Sequence, residues 1–500
     1  MKISFLNSLI PLLACSNAML PLDTYSNKFV QPALSGDGKA FYINGVDYQP
    51  GGSSSYTSSG SSDVLTDGES CARDATVLQN LGANTIRVYT VNPDLNHDEC
   101  MSIFNAAGIY VILDVNSPLA GESLNRDDPG SSYYTSYVER IFKVIENFRG
   151  YSNVAGFFIG NEVINDDTSA GKNPKYLRAL TRDAKEYIKA REKSGGRYIP
   201  VGYSAADVVD LREATFEYMT CAINGTNSDI SRIDFFGLNS YEWCSGSSDW
   251  QTSNYAETKT NFENATVPVF FSEYGCIKNL PRTFDEVDDG IYAGLKDVLS
   301  GGLVYEYSEE SSGYGLVEIN DDDSISLKQD YYNLQKEFKS AQIPSISKSD
   351  ISDYSVRTCN KTKIESYNSA FDADFNIPDA PDGVADLIKN GVNVTHSGKF
   401  VDVSDLTDLY ANGADNSNQS EYDSMVNSAS SDASLYLTVP SSNLINAIST
   451  VASALTTSTA TSSSSSQISV SSISSSSKGN ADLVKTSWGI GFLGILAALI

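Results

Sequence analysis

Between about residues 39 and 338 the chain alternates short apolar runs with amphipathic stretches of helical period. The apolar runs, bounded by Gly, Pro, Asn or Asp, read as strands at 41–48, 85–89, 110–114, 154–160, 198–203, 235–239, 267–272 and 303–307. Helical stretches fall between them, as at 133–148, 174–192 and 284–299. This rhythm predicts parallel strands joined by crossover helices, and eight such units in about 300 residues is the size of a (β/α)8, or TIM, barrel. The competing architecture is an open doubly wound sheet, but no glycine-rich phosphate loop follows the first strand.

The pattern breaks at both ends. Lys2, the apolar run 5–13 and the small-x-small site Ser16-Asn17-Ala18 read as a secretory signal over 1–18, with the mature chain beginning near Met19. The barrel is expected over 19–340. The region 341–452 is rich in Pro, Asp and Asn, with short β-like runs at 398–403 and 435–439. It is expected as a C-terminal appendage, either a small β unit or irregular chain. Ser and Thr dominate 453–478, which suggests a flexible stalk. In 479–500 the small residues Gly479-Asn480-Ala481, a polar spacer and an apolar tail from Trp488 to Ile500 form a GPI signal, with attachment at Gly479 or Asn480. The tail is too short for a comfortable membrane span.

Composition narrows the partners. A net charge of −28 excludes the basic surface that nucleic acid demands and suits a neutral polysaccharide. Neither a metal nor a cofactor is expected. Only His97 and His396 are present, no cysteines have zinc-finger spacing, and Asp321-Asp322-Asp323 lacks calcium-loop order. With Cys15 lost in the signal, Cys71, Cys100, Cys221, Cys244, Cys276 and Cys359 remain, an even set for which about 15 pairings are open. Sequons at Asn224, Asn264, Asn360, Asn393 and Asn418 fit the same extracellular setting.

Functional groups in a barrel gather at the C-terminal ends of the strands. Two of those ends carry a carboxylate after a strongly apolar run: Glu162 after the fourth strand and Glu273 after the seventh. A lone strand-end Glu is ordinarily solvated or ion-paired. Two facing ones are the apparatus of retaining glycoside cleavage, with one protonating the leaving oxygen and the other attacking the anomeric carbon.

The strand ends also resemble a family. Tyr48-Gln-Pro-Gly-Gly52, Asn84-Thr-Ile-Arg-Val-Tyr-Thr90, Leu113-Asp-Val-Asn-Ser-Pro118, Gly160-Asn-Glu162, Gly237-Leu-Asn-Ser-Tyr-Glu-Trp-Cys244 and Phe271-Ser-Glu-Tyr-Gly-Cys276 are similar to motifs of glycoside hydrolase family 72. These are the fungal β-1,3-glucanosyltransferases of the Gas/Gel/Phr group. The resemblance implies Glu162 as general acid/base and Glu273 as nucleophile. It implies that Asn161 binds the sugar 2-hydroxyl, that Tyr241 orients the nucleophile, and that Gln49, Tyr89, Asp114 and Tyr305 line a glucan cleft. Tyr307 is a looser candidate. The implied disulfides are Cys71–Cys100, Cys221–Cys359 and Cys244–Cys276. Only Cys359 lies beyond the barrel's main cysteines, which points to the shorter subfamily without a cysteine-rich glucan-binding module.

The chain is expected as a monomer, held by its GPI anchor on the outer leaflet of the plasma membrane or passed to the cell wall. The resemblance implies that it cuts an internal β-1,3-glucan linkage and passes the new reducing end to the non-reducing end of another chain. Transfer requires acceptor subsites that outcompete water, for which the tyrosines and Trp243 near strands six and eight are expected platforms. An endo-β-1,3-glucanase and an inactive wall glycoprotein are the alternatives.

Overall fold

The computed structural model describes residues 19–33, 36–193, 195–403 and 405, and the backbone of 437–439. The expected signal, stalk, GPI segment and Asn418 lie outside the described residues.

Eight parallel strands close into a barrel. They are β1 (Ile43–Asp47), β2 (Thr85–Val88), β3 (Tyr110–Asp114), β4 (Val154–Asn161), β5 (Val201–Ala205), β6 (Phe235–Ser240), β7 (Val269–Tyr274) and β8 (Gly301–Val304). Helices return the chain between them: α1 (Gly68–Leu81), α2 (Asp98–Ala106), α3 (Thr135–Phe148), α4 (Pro174–Glu192), α5 (Val209–Thr220), α6 (Tyr255–Phe262), the wide-turned α7 (Glu286–Leu295) and α8 (Gln329–Ser340). The barrel expected from the alternation is therefore the fold.

Several strand boundaries differ from the pattern, two of them for local reasons that are plain in the backbone. Pro200 has no N–H to give to a ladder, so β5 begins at Val201 rather than 198. The last strand begins at Gly301, two residues before the apolar run, because a Cβ at Gly301 would lie 2.0 Å from the Ile43 carbonyl oxygen. Glycine carries no hydropathy signal, so the pattern misses a position the close strand approach demands.

The lower barrel is filled by large rings. Phe158, Phe235 and Phe270 meet at centroid distances of 5.1–6.0 Å. Phe29, from an antiparallel N-terminal sheet, closes the bottom at 5.5 Å from Phe235. Small inward positions make room: a Cβ on Gly202 would sit 2.2 Å from the Phe235 ring. Water is thus excluded from below, and the chemistry is confined to the upper rim.

All three disulfides join the implied partners: Cys71–Cys100, Cys221–Cys359 and Cys244–Cys276. The second fastens a belt. Beyond α8 the chain bridges the N-terminal sheet at Lys39–Ser347, pairs Ala222 with Thr358, and forms two short helices, Lys361–Tyr367 and Val384–Asn390. Phe375 stacks on Tyr218 of α5 at 4.9 Å, and Gly398 N–H donates to the Asn147 carbonyl. The run 398–403 is irregular rather than β, whereas Leu437–Val439 adds a third strand to the hairpin of Val317–Ile319 and Ile325–Leu327. Asn224, Asn264, Asn360 and Asn393 are all exposed.

Candidate active site

Both glutamates sit just past an irregularity in their strand. The β4–β5 register shifts between Phe158 and Asn161, and the β7–β6 register shifts between Phe271 and Glu273. Such bulges re-aim the side chains that follow them. Glu162 also has φ 49°, a left-handed conformation that costs a non-glycine residue on the order of 1–3 kcal/mol. Its amide is held by the Ser204 carbonyl at 2.9 Å.

Glu273 is nearly buried. Tyr89 Oη donates to its Oε1 at 2.9 Å, Arg87 Nη1 reaches the same oxygen at 3.3 Å, and Tyr241 Oη donates to Oε2 at 2.8 Å. Burial raises its pKa to about 7; Arg87 opposes this, and nearby Glu162 adds to it. Glu162 is more open and accepts from Asn239 Nδ2 at 2.8 Å. Asn239 is itself oriented by Ser204 and Ser272, whose hydroxyls donate to its Oδ1 at 3.1 and 2.8 Å. One carboxyl is thus enclosed among donors, and the other faces the opening.

Arg87 ties the floor together. Its guanidinium lies 4.6 Å above the Phe158 ring and pairs with Asp114 through two bonds of 3.0 and 2.9 Å. It also donates to Asn161 Oδ1 at 3.0 Å and to the Ser272 carbonyl at 3.2 Å. Asp114, Asn161 and Glu273 are therefore fixed to one rigid cation. Above them Tyr305 stands edge-on to Tyr89 and Tyr241, each at 6.4 Å, and Tyr314 closes the wall at 5.3 Å from Tyr305. A cleft of about 550 Å³ runs outward from Tyr89, Asp114 and Asn161 past Asn116 and Tyr137. A second hollow of about 630 Å³ continues over Gln49 and Gly51.

Seven of the expected residues converge here: Glu162, Glu273, Asn161, Tyr89, Asp114, Tyr241 and Tyr305. Gln49 lines the second hollow, but its Oε1 accepts from the amides of Tyr89 and Thr90, both at 3.1 Å, so it also shapes the end of β2. Two expectations fall elsewhere. Tyr307 is buried against Tyr48 and donates to Asp74 at 2.7 Å. Trp243 is 5% exposed and packs on Tyr255, which leaves no face for a sugar. Sequence reasoning missed Arg87, Asn239 and Tyr314. A charged residue in the apolar run 85–89 was the available signal for Arg87, and a polar residue closing the run 235–239 was that for Asn239; Tyr314 carried none.

Cys244–Cys276 bridges the loops after β6 and β7, close to Tyr241 just past β6 and Glu273 near the end of β7. Among the described residues no group of His, Cys, Asp or Glu side chains is arranged to hold a metal ion.

The architecture and the motifs agree with known proteins. Residues 11–342 match the glucanosyltransferase family model. The chain is 51% identical to a probable 1,3-beta-glucanosyltransferase, GAS3, of Saccharomyces cerevisiae, over 77% of this chain and 75% of that one. It is 45% identical to the 1,3-beta-glucanosyltransferase gel2 of Aspergillus fumigatus, over 79% and 80%. Among solved structures, Saccharomyces cerevisiae Gas2p in complex with laminaripentaose superposes with a TM-score of 0.64 at 38% identity, covering 73% of this chain and 78% of that one. With its rim glutamates on a closed barrel, the chain belongs to the glucanosyltransferase family of glycoside hydrolases.

Proposed function

We propose that this enzyme elongates β-1,3-glucan by a retaining transfer in which Glu273 is the nucleophile and Glu162 the acid/base. The carrying observation is the unequal treatment of the two carboxyls. Glu273 is enclosed by Tyr89, Arg87 and Tyr241, which stabilise its ionised form and aim it, while Glu162 faces the cleft with one supporting amide.

Glu273 attacks the anomeric carbon of an internal glucose as Glu162 protonates the departing oxygen, and the fragment bearing the old reducing end leaves. Glu162, now a base, deprotonates the 3-hydroxyl at the non-reducing end of an acceptor, and that oxygen displaces Glu273. Two inversions retain the β configuration. Asn161 has its oxygen held by Arg87, and its Nδ2 donates no hydrogen bond within the described residues, so it is placed to donate to a sugar hydroxyl. The wall of Tyr305, Tyr241 and Tyr314 offers faces on which an acceptor glucose is held against competing water.

The reading extends to a secreted glycoprotein carried by a GPI lipid at the cell surface, acting as a monomer on donor and acceptor glucans without a cofactor. It rests on the terminal signals and on four exposed sequons.

Incubation with reduced β-1,3-gluco-oligosaccharides, followed by product sizing, tests it. Products longer than the substrate are expected from the wild type, and none from Glu162→Gln or Glu273→Gln. Shorter products alone would identify a hydrolase, and an unchanged ladder from folded protein would defeat the enzymatic reading.

A further inference from the structure

β1 ends inside the barrel on a carboxyl that the transfer reaction does not require. Asp47 is fully buried, and among the described residues no hydrogen bond of ordinary length reaches either of its oxygens; the Tyr89 hydroxyl is the one group placed to bond to it. Its Cα is in register with Arg87 on β2, so both side chains leave the sheet on the same face. Arg87 nevertheless has no N–H left to offer it, although its charge favours the ionised acid. A guanidinium has five N–H donors, and these serve Asp114 twice, Asn161, the Ser272 carbonyl and Glu273.

The other groups that bear on Asp47 are the Tyr89 hydroxyl after β2, Asp114 on β3, Glu273 and Tyr274 on β7, and Tyr305 after β8. Glu162 on the β4 side acts on Glu273 in turn. Asp47, Asp114 and Glu273 thus surround a single cation, and Asp47 is the one to which it donates no hydrogen bond. An ionised carboxylate buried without donors is strongly disfavoured, and the cheaper state is the neutral acid. Burial pushes its carboxyl well above the ordinary range; the Arg87 charge and the Tyr89 hydroxyl oppose this, and Glu273 and Asp114 add to it. A neutral acid needs an acceptor for its O–H. The Tyr89 hydroxyl, which gives its own hydrogen to Glu273 Oε1 at 2.9 Å, keeps its lone pairs for one.

We propose that Asp47 is a positioning residue that stands as the neutral acid in the resting enzyme and donates to Tyr89 Oη, strengthening the Tyr89 hydrogen bond to Glu273. The proton that this crowded cluster must retain then resides on Asp47, and Glu273 is left ionised for attack. No proton is transferred; each hydrogen bond polarises the next. The proposal rests on Glu273 as the nucleophile.

Asp47→Asn and Asp47→Leu, in the whole protein, test it by two independent readouts. At neutral pH the infrared difference spectrum of wild type minus Asp47→Asn should contain the carbonyl band of a protonated carboxyl. In the pH profile of kcat/KM on reduced β-1,3-gluco-oligosaccharides, the acidic limb of Asp47→Asn should stay within about 0.3 unit of wild type, because a neutral donor replaces a neutral donor. In Asp47→Leu the limb should move up by about half a unit, because the support for Tyr89 is lost. An ionised Asp47 would give a carboxylate band instead, and both variants would move the limb down by about a unit as a neighbouring negative charge disappears; either result overturns the proposal. A folded but inactive wild type would defeat the glucanosyltransferase reading, and the infrared band would still decide the state of Asp47.

Discussion

Replacing Glu273 with Gln separates what the carboxylate costs the fold from what it does for the reaction. Burial is the main reason its pKa rises from 4.5 to about 7; Arg87, Tyr241 and Tyr89 offset only part of that effect. The folded protein therefore holds this proton more tightly than the unfolded chain. The corresponding stability is complete below about pH 4.5 and is lost as the pH rises through about 7. A rise of that size is worth on the order of 3 kcal/mol at alkaline pH, each pKa unit being about 1.4 kcal/mol. Gln keeps the shape and still accepts from Tyr89 and Arg87 but cannot ionise. Denaturant unfolding with the disulfides intact should show wild type and Glu273→Gln nearly equal at about pH 4, with the variant more stable by roughly 3 kcal/mol at about pH 8. Turnover in the same variant should fall at least a thousandfold, as expected when a covalent nucleophile is removed. A stability difference that does not change with pH, or one that grows in favour of the wild type as pH rises, would refute the reasoning. It would mean that Arg87 and the two tyrosines outweigh burial.

The same ionisation should appear in the kinetics: kcat/KM on reduced β-1,3-gluco-oligosaccharides should fall about tenfold per pH unit below about 7, as Glu273 takes up its proton. Arg87→Lys should be destabilised by about 3–5 kcal/mol, because one ammonium cannot serve Asp114, Asn161 and Glu273 together; it should also move the acidic limb upward, measured in the same assay. Removing the Cys221–Cys359 bridge with a double Ser variant frees a separation of 138 residues, and chain entropy sets a loss of about 5 kcal/mol in denaturant unfolding. Activity per folded molecule should be unchanged there, because the bridge sits at the C-terminal end of α5 and touches none of the side chains that hold Glu162 or Glu273. Tyr314→Ala should lower the proportion of lengthened products relative to hydrolysed ones on product sizing, through loss of one face of the aromatic wall.

Much of this protein was legible because its signals are local. Apolar runs of strand length punctuated by Gly, Pro and Asn mark every barrel strand, and Pro174 at a first helical position marks the start of α4 where the pattern places it. Glu162 and Glu273 stand out because a carboxylate directly after a fully buried strand needs a reason to be there. Tertiary structure alone decided the rest. Arg87 becomes the hub of the site only when β3, β4 and β7 bring Asp114, Asn161 and Glu273 to it, and no pattern along β2 records who those partners are. The bulges that aim the two glutamates are properties of strand pairing, and Gly301 matters for the space it leaves at Ile43 rather than for any hydropathy of its own. Asp47 shows the limit most clearly. Along the chain it is one acid after an apolar strand, much like Glu162. Only closure of the barrel buries it, commits every donor of its neighbour elsewhere, and turns a charge into a neutral acid, because solvation and hydrogen bonding depend on what surrounds a group in space and not on what precedes it in sequence.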